Sequence, residues 1–167
     1  MMKKVAGAIA LSTSILCISI LCTSPAHAGS AAIQRFEPDS MARIVSAQNG
    51  KPFVLMIWSL DCEYCLASMK ALAEEKRRRG GLHIVTLATD PVDDPESVAL
   101  MRKKLHSTGL AGNAWAFGSA PAEQLRYAID PKWHGEKPRS YWFNARGERV
   151  AYSGVITAET IARLAAR

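Results

Sequence analysis

Two short apolar runs, separated by one helical pattern, most strongly limit the folds open to this chain. Residues 52–58, PFVLMIW, contain no polar side chain, and a run this short predicts a central strand covered on both faces. After Cys62 the apolar residues recur at helical spacing until Gly80 and Gly81. Residues 82–88, LHIVTLA, predict a second buried strand. Strand, helix and strand at this spacing predict a right-handed βαβ unit with two parallel strands.

Capping and turn signals divide the rest of the chain. They predict a short helix from Asp39 or Ser40 to Asn49-Gly50, a helix from Asp94-Pro95 to about Leu105, a hairpin formed by residues 140–144 and 148–153, and a closing helix capped by Thr157. Residues 107–137 are less regular. Ser119 there could cap a short helix that ends at Asp130, and the rest of the segment is predicted to be loop.

The N-terminus has the pattern of a secretory signal peptide. Met1–Lys4 carries two lysines, residues 5–22 are almost entirely apolar or small, and Ala26-His27-Ala28 has the small-x-small pattern of a cleavage site. We expect cleavage after Ala28, a flexible lead-in over residues 29–36 and one domain over residues 37–167. The pattern therefore predicts export to the periplasm, an oxidising compartment in which disulfides persist.

Loss of the signal peptide simplifies both the cysteine content and the charge. Cys17 and Cys22 leave with it, so the mature chain would keep only Cys62 and Cys65. Without Lys3 and Lys4 the formal net charge falls from +6 to +4, which fits a soluble protein and identifies no particular partner. No basic block is interleaved with aromatic residues, so the sequence does not indicate nucleic-acid binding.

The spacing of Cys62 and Cys65 at the start of a helix favours redox chemistry. Backbone N–H groups and the macrodipole stabilise a thiolate there, and two cysteines three positions apart can close a small ring. A disulfide that closes so small a ring stabilises the fold only weakly, because disulfide stabilisation grows with loop length. A structural zinc site needs four ligands, and no second cysteine pair is present in the mature chain. A Cu(I) site that uses Met69 remains open, although Met69 also continues an apolar helical face.

Several of these features together resemble the thioredoxin fold. They are a leading helix, a Cys-x-x-Cys turn after PFVLMIW, the βαβ unit, and KPRSYWFNARGERVAYSG followed by a helix. The pattern is similar to the exported TlpA-like branch of the thioredoxin-like superfamily over about residues 51–166. The resemblance implies an α/β fold with a central mixed β-sheet flanked by helices, in which residues 107–137 form a short helical insert before the proline loop.

The resemblance also implies roles for individual residues. Cys62 would be the exposed attacking cysteine and Cys65 the buried resolving one, and the two would form the redox disulfide. Pro138 matches the family's cis-proline, which faces the cysteines and lets the adjoining backbone at Lys137 pair with an extended substrate. Trp58 matches the aromatic residue at the end of the active-site strand.

The motif departs from the family pattern at three positions that tune the site. Asp61 stands where the family usually has Trp, and Glu63 and Tyr64 occupy a motif that often contains Pro. Negative charge from Asp61 and Glu63 would destabilise a Cys62 thiolate, whereas Lys137 would act in the opposite direction. Since a destabilised thiolate favours reduction of other disulfides, the acidic flanks favour a reductant.

The sequence therefore predicts a periplasmic thiol–disulfide oxidoreductase that uses no cofactor and no metal. The resemblance implies protein disulfides as substrates and a membrane-bound electron donor, and we expect a monomer or weak dimer. Two alternatives are a Cu(I) carrier that uses both thiolates and a redox-inert interaction module. Three aromatic residues before the proline loop are candidates for lining the substrate groove, and each is an equally good candidate for packing in the core: Trp115, Phe117 and Trp133.

Overall fold

Six strands in one mixed sheet organise residues 32–165, the part of the chain that the computed structural model describes. The strands are β1 (Gln34–Phe36), β2 (Phe53–Trp58), β3 (His83–Pro91), β4 (Ala114–Phe117), β5 (Arg139–Phe143) and β6 (Arg149–Ser153). The helices are α1 (Ser40–Ser46), α2 (Glu63–Arg79), α3 (Pro95–Thr108), α4 (Ala122–Ile129) and α5 (Ala158–Ala165). The order across the sheet is β1-β4-β3-β2-β5-β6.

The predicted βαβ unit forms the centre of this sheet. β2 and β3 pair in parallel along their length, from Phe53 opposite His83 to Trp58 opposite Ala88, and α2 connects them. All six residues of β2 are buried, as its unbroken apolar sequence predicted. On its other side β2 pairs antiparallel with β5, which forms the predicted hairpin with β6.

Helices cover both faces of the sheet. On one face α2, α3 and α5 contribute Met69, Leu72, Met101, Leu105, Ile161 and Leu164 to a core that includes Trp58 and Cys65. On the other face α1 and α4 contribute Ile44, Leu125 and Ile129 to a core that includes Ile57 and Tyr141. β2 contributes residues to both cores, so apolar packing on the two faces holds this strand in place.

The capping signals identify most helix ends correctly. α2 ends at Gly80, whose φ of 67° lies in the left-handed region that glycine adopts without a Cβ clash. The Asp94 side chain accepts hydrogen bonds from the backbone N–H groups of Glu96 and Ser97 at the start of α3. The Thr157 hydroxyl accepts from the Thr160 N–H at the start of α5. Ser119 is not a cap, since α4 begins after Pro121.

The segment before the proline loop was only partly predicted. Part of the predicted loop is β4, which pairs in parallel with β3, so residues 107–137 contribute a strand of the sheet as well as a helix. Trp115, Phe117 and Trp133 are all buried in the core on the α4 face, which agrees with a packing role and not with a place in the substrate groove. A four-residue strand buried on both faces has no alternation that could identify it.

The lead-in predicted over residues 29–36 also needs correction at its end. Gln34–Phe36 forms β1, an edge strand parallel to β4, and the fully buried Phe36 ring lies 6.0 Å from that of Phe117. The predicted signal peptide, residues 1–28, lies outside the described residues. Within residues 32–165, no helix is both long and apolar enough to cross a membrane.

Candidate active site

Cys62 and Cys65 lie where β2 passes into α2. Cys62 is the N-cap residue of α2, with extended φ and ψ angles of −85° and 98°, and Cys65 is in the first turn. Their Cα atoms are 5.3 Å apart and their sulfur atoms are joined in a disulfide. The positive end of the α2 dipole therefore lies at this pair.

The two cysteines differ in their access to solvent. Cys65 is fully buried in the core beside Trp58 and Met69, whereas Cys62 is partly exposed at the edge of that core. Met69 packs in the same core and has no solvent-exposed surface, as its helical position predicted. An incoming group can therefore reach the Cys62 sulfur more easily than that of Cys65.

A short turn leads from β2 into the cysteine pair. The Cys62 N–H donates to the Ser59 carbonyl at 3.3 Å and closes this turn. The Leu60 N–H donates to Asp90 Oδ2 at 2.9 Å, and Lys104 Nζ donates to the Leu60 carbonyl, also at 2.9 Å. Sequence reasoning missed Asp90 and Lys104, because no local pattern relates the end of β3 or the middle of α3 to this turn.

Asp61, directly before Cys62, is highly exposed and lies among groups that stabilise its charge. The Ser59 hydroxyl donates to its carboxylate, and Lys137 Nζ lies 3.8 Å from Asp61 Oδ1. The Ser59 hydrogen bond, then the charge of Lys137 and more weakly that of Lys104, lower the pKa of Asp61. Lys137 thus lies beside the motif, as the sequence predicted, and the carboxylate of Asp61 is ionised at neutral pH.

Pro138 lies next to the end of the strand that leads to the cysteines. Its bond to Lys137 is cis, and Arg139 pairs with Ile57 at the start of β5. Pro138 is itself buried, and its carbonyl accepts from the Gly154 N–H at 3.0 Å. Lys137 Nζ also donates to Thr89 Oγ1 at 3.2 Å. The cis geometry at this peptide agrees with the expectation from sequence.

The remaining predicted tuning residues lie on different sides of the site. Glu63 and Tyr64 are exposed on the first turn of α2, and 67% of the Tyr64 surface is accessible. Trp58 is fully buried at the end of β2, and Lys104 Nζ lies 5.7 Å from the centre of its ring. Trp58 therefore lies in the core behind the cysteines, while Glu63 and Tyr64 lie on the surface next to Cys62.

Arg139, which follows Pro138, belongs to a separate cluster around the fully buried Tyr141. Its guanidinium donates to Asp130 Oδ2 at 3.2 Å, and the Tyr141 hydroxyl donates to the same oxygen at 3.0 Å. The guanidinium groups of Arg139 and Arg149 each lie 5.0 Å from the centre of the Tyr141 ring. Burial, the largest influence, raises the pKa of Tyr141 to about 12. We call Asp130, Arg139, Tyr141 and Arg149 the arginine cluster.

Within residues 32–165, no group of three or more His, Cys, Asp and Glu side chains is arranged to hold a metal ion. His83, His106 and His134 are exposed and lie on different elements of the fold. The described residues that converge on the turn are the two cysteines, Asp61, Asp90, Lys104 and Lys137. This set contains two cysteines, two carboxylates and two ammonium groups.

No protein-family model matches the chain, and no curated protein is significantly similar to it. Solved structures do match. A secreted disulfide oxidoreductase of Mycobacterium tuberculosis, homologous to E. coli DsbE, is 21% identical with a TM-score of 0.52, over 71% of this chain and 83% of that one. A putative thiol:disulfide interchange protein DsbE of Chlorobium tepidum is 19% identical with a TM-score of 0.53, over 71% and 79% of the two chains.

The thioredoxin domain of a thiol-disulfide oxidoreductase from Bacteroides vulgatus is similar in the same way. It is 13% identical, with a TM-score of 0.55, over 73% of this chain and 81% of that one. At these identities the similarity extends to the path of the backbone and not to the details of the site. The chain therefore has a thioredoxin-like fold, with Cys62 and Cys65 at the start of the helix that follows its central strand.

Proposed function

We propose that this chain is an exported thiol–disulfide oxidoreductase that acts on protein disulfides through Cys62 and Cys65. The observation that carries the proposal is the difference in burial within one dithiol, in which Cys62 is accessible at a helix N-terminus and Cys65 is fully buried. A purely structural disulfide has no need of this asymmetry, and a ring closed over three residues gives little stability.

The proposed reaction is two successive thiol–disulfide exchanges. The Cys62 thiolate attacks one sulfur of a substrate disulfide, the substrate S–S bond breaks, and one substrate sulfur leaves as a thiolate. The Cys65 thiolate then attacks the Cys62 sulfur of the mixed disulfide and releases the second substrate thiolate. Two electrons pass to the substrate, which takes up two protons as its thiols form, and the protein is left with the Cys62–Cys65 disulfide. A dithiol donor must reduce that disulfide before the next cycle.

The chain supplies distinct groups for the parts of this reaction. The N-terminus of α2 stabilises the attacking Cys62 thiolate, and burial protects Cys65 from reaction with other thiols. The exposed Tyr64 ring offers an apolar contact beside Cys62. The backbone at Lys137 and Pro138 would bind an extended substrate segment, in keeping with its position beside the end of β2.

The compartment and the electron source are further parts of the proposal. The signal-peptide pattern of residues 1–28 supports export to the periplasm, and the similar Mycobacterium tuberculosis protein is itself secreted. In an oxidising compartment a reductase needs a source of electrons from outside it. We therefore propose a membrane-bound dithiol donor as the partner that returns Cys62 and Cys65 to the reduced state.

We propose the reducing direction, because Asp61 and Glu63 place two carboxylates beside the attacking sulfur. Negative charge destabilises the thiolate and so favours the oxidised form of the protein. Equilibration in glutathione buffers measures this directly. We expect a reduction potential nearer to about −270 mV than to about −120 mV, the value for a strong periplasmic oxidant. A potential near about −120 mV would contradict the reducing direction. It would not contradict thiol–disulfide oxidoreductase activity as such.

Trapping of mixed disulfides tests the function itself. Cys65→Ser stops the reaction after the first exchange, so the variant should accumulate covalent complexes with exported proteins that reductant releases. Cys62→Ser is the matched control and should accumulate none, because the buried Cys65 does not reach a substrate. Equal trapping by both variants would contradict the roles assigned here. One-to-one copper binding by reduced protein that lacks reductase activity would instead favour the Cu(I) carrier.

A further inference from the structure

The peptide groups of Leu60, two residues before Cys62, are held by side chains from two other elements. Its N–H donates to Asp90, at the C-terminal end of β3, and its carbonyl accepts from Lys104 in α3. Both hydrogen bonds are 2.9 Å long and involve a charged group, which makes them stronger than neutral ones. The turn that presents Cys62 is therefore fixed from outside as well as by its own hydrogen bond from Cys62 to Ser59.

The position of Lys104 is itself well defined. Met101 and Leu105, on the same helix, are buried in the core that contains Trp58 and Cys65, so α3 is anchored at this point. The Lys104 ammonium also lies over the Trp58 ring, at 5.7 Å from its centre. Cation–π contact and the hydrogen bond to Leu60 together hold one positive charge beneath the turn.

Lys104 also belongs to the set of charges that surround the attacking cysteine. The charged and titratable groups on the elements packed around the turn are Asp61, Glu63, Tyr64, Cys65, Asp90, Lys104 and Lys137. Three of them are carboxylates and two are ammonium groups, so the lysines are the positive charges within this set. The charges of both lysines reach Asp61 and lower its pKa, after the effect of its hydrogen bond with Ser59.

We infer that Lys104 is a positioning residue for thiol–disulfide exchange: with Asp90 it fixes the turn that presents Cys62, and its charge offsets the carboxylates beside the attacking sulfur. The inference rests on the proposed function, in which the Cys62 thiolate is the nucleophile. It identifies a residue 44 positions from Leu60 that controls how readily this thiolate forms. Asp90 holds the same turn by accepting from the Leu60 N–H, and it adds no positive charge.

The rate of Cys62 alkylation as a function of pH, measured on the reduced protein with iodoacetamide, tests the inference. Lys104→Met removes the hydrogen bond and the charge, and it should slow alkylation at neutral pH by about fivefold and move the profile to higher pH. Lys104→Arg keeps both and should stay near the wild-type profile. Lys104→Gln keeps a donor but no charge, so it should shift the profile in the same direction by a smaller amount.

Lys103→Met is the matched control, because Lys103 is exposed on the same helix and the substitution removes an equal charge. Its profile should coincide with that of the wild type. Profiles of Lys104→Met and Lys104→Gln that coincide with that of Lys103→Met would overturn the inference, even if the urea midpoint of Lys104→Met fell, because that result would leave Lys104 a structural role only. Alkylation needs no protein substrate, so this outcome is independent of whether Cys65→Ser traps mixed disulfides.

Discussion

Lys137 and Arg139 lie on either side of Pro138, yet they belong to two charged clusters of different character. Lys137 contacts Asp61 at 3.8 Å beside the cysteines, where the two side chains are 24% and 85% exposed. Arg139 contacts Asp130 at 3.2 Å, where both side chains are 13% exposed. The Lys137–Asp61 pair is therefore exposed to solvent, mostly through Asp61, whereas the Arg139–Asp130 pair is largely buried.

One short segment thus carries a pair suited to stability and a separate pair suited to chemistry. The Arg139–Asp130 ion pair joins the start of β5 to the end of α4, and loss of one partner leaves a largely buried charge with fewer partners. A solvent-exposed pair contributes little to stability, yet its charges still act on a neighbouring thiolate. Substitutions in the arginine cluster should therefore change the free energy of unfolding, and substitutions beside Cys62 should change thiol reactivity.

The largest expected effect is from Arg139→Met. This substitution removes the guanidinium that donates to the largely buried Asp130 carboxylate and one of the two guanidinium groups at Tyr141, and loss of a hydrogen bond to a charged group costs about 2 kcal/mol. Urea unfolding measures the loss. Arg146→Met is the control, because Arg146 forms an exposed pair with Glu148 and should leave the urea midpoint almost unchanged. Equal midpoints for the two variants would remove the distinction between the clusters.

Tyr141→Phe should have the next largest effect. The variant keeps the ring between Arg139 and Arg149 and loses only the hydrogen bond to Asp130, which costs about 1 kcal/mol at neutral pH. Urea midpoints of the two proteins at pH 7 give this difference. Unchanged thiol alkylation in the same variant would show that the arginine cluster acts on stability alone.

Alkaline pH gives a second test at Tyr141. The pKa of this phenol is about 12 in the folded protein and about 10 in the unfolded chain, so the folded state holds the proton over that interval and the unfolded state does not. Unfolding then releases a proton, and stability that is fully present below pH 10 falls as the pH rises toward 12. The free energy of unfolding of the wild type should fall by up to about 2 kcal/mol over this interval because of Tyr141. Tyr141→Phe has no phenol at this position, so it should lack this contribution to the fall. If the free energy of unfolding fell equally in the two proteins over this interval, the result would contradict a buried Tyr141 hydroxyl with a raised pKa.

Lys137→Met should affect thiol chemistry far more than folding. Removing the ammonium group leaves Asp61 with less compensation, so Cys62 alkylation should move to higher pH by roughly half a pH unit while the urea midpoint stays nearly constant. Lys132→Met, an exposed position earlier in the same segment, controls for the loss of one charge. A large stability loss with an unchanged alkylation profile would reverse the roles of Lys137 and Arg139.

The sequence predicted the parts of the molecule that depend on local signals. The unbroken apolar runs identified β2 and β3, Gly80 marked the end of α2, and the cysteine spacing identified the dithiol. β1 and β4 were missed because strands of three or four residues show no usable period, and their burial is decided by the strands beside them. Tertiary structure alone brings Asp90 and Lys104 to Leu60, across 30 and 44 residues. The same applies to Asp130, which follows α4 and reaches Arg139 and Tyr141 only through the tertiary fold.

The smallest expected effect is that of Asp61→Asn, and it completes the comparison. The amide oxygen can still accept from the Ser59 hydroxyl, so the turn should keep its shape while one negative charge is lost. Cys62 alkylation should then shift to lower pH, opposite in sign to Lys137→Met and smaller, because Asp61 is mostly exposed to solvent. If each charge acts on the thiolate directly, the two opposite shifts should add, so the double variant Asp61→Asn/Lys137→Met should lie between the profiles of the two single variants. A shift to higher pH in Asp61→Asn would mean that Asp61 acts by holding the turn and not by its charge. The direction of electron flow proposed from the acidic flanks would then lose its physical basis.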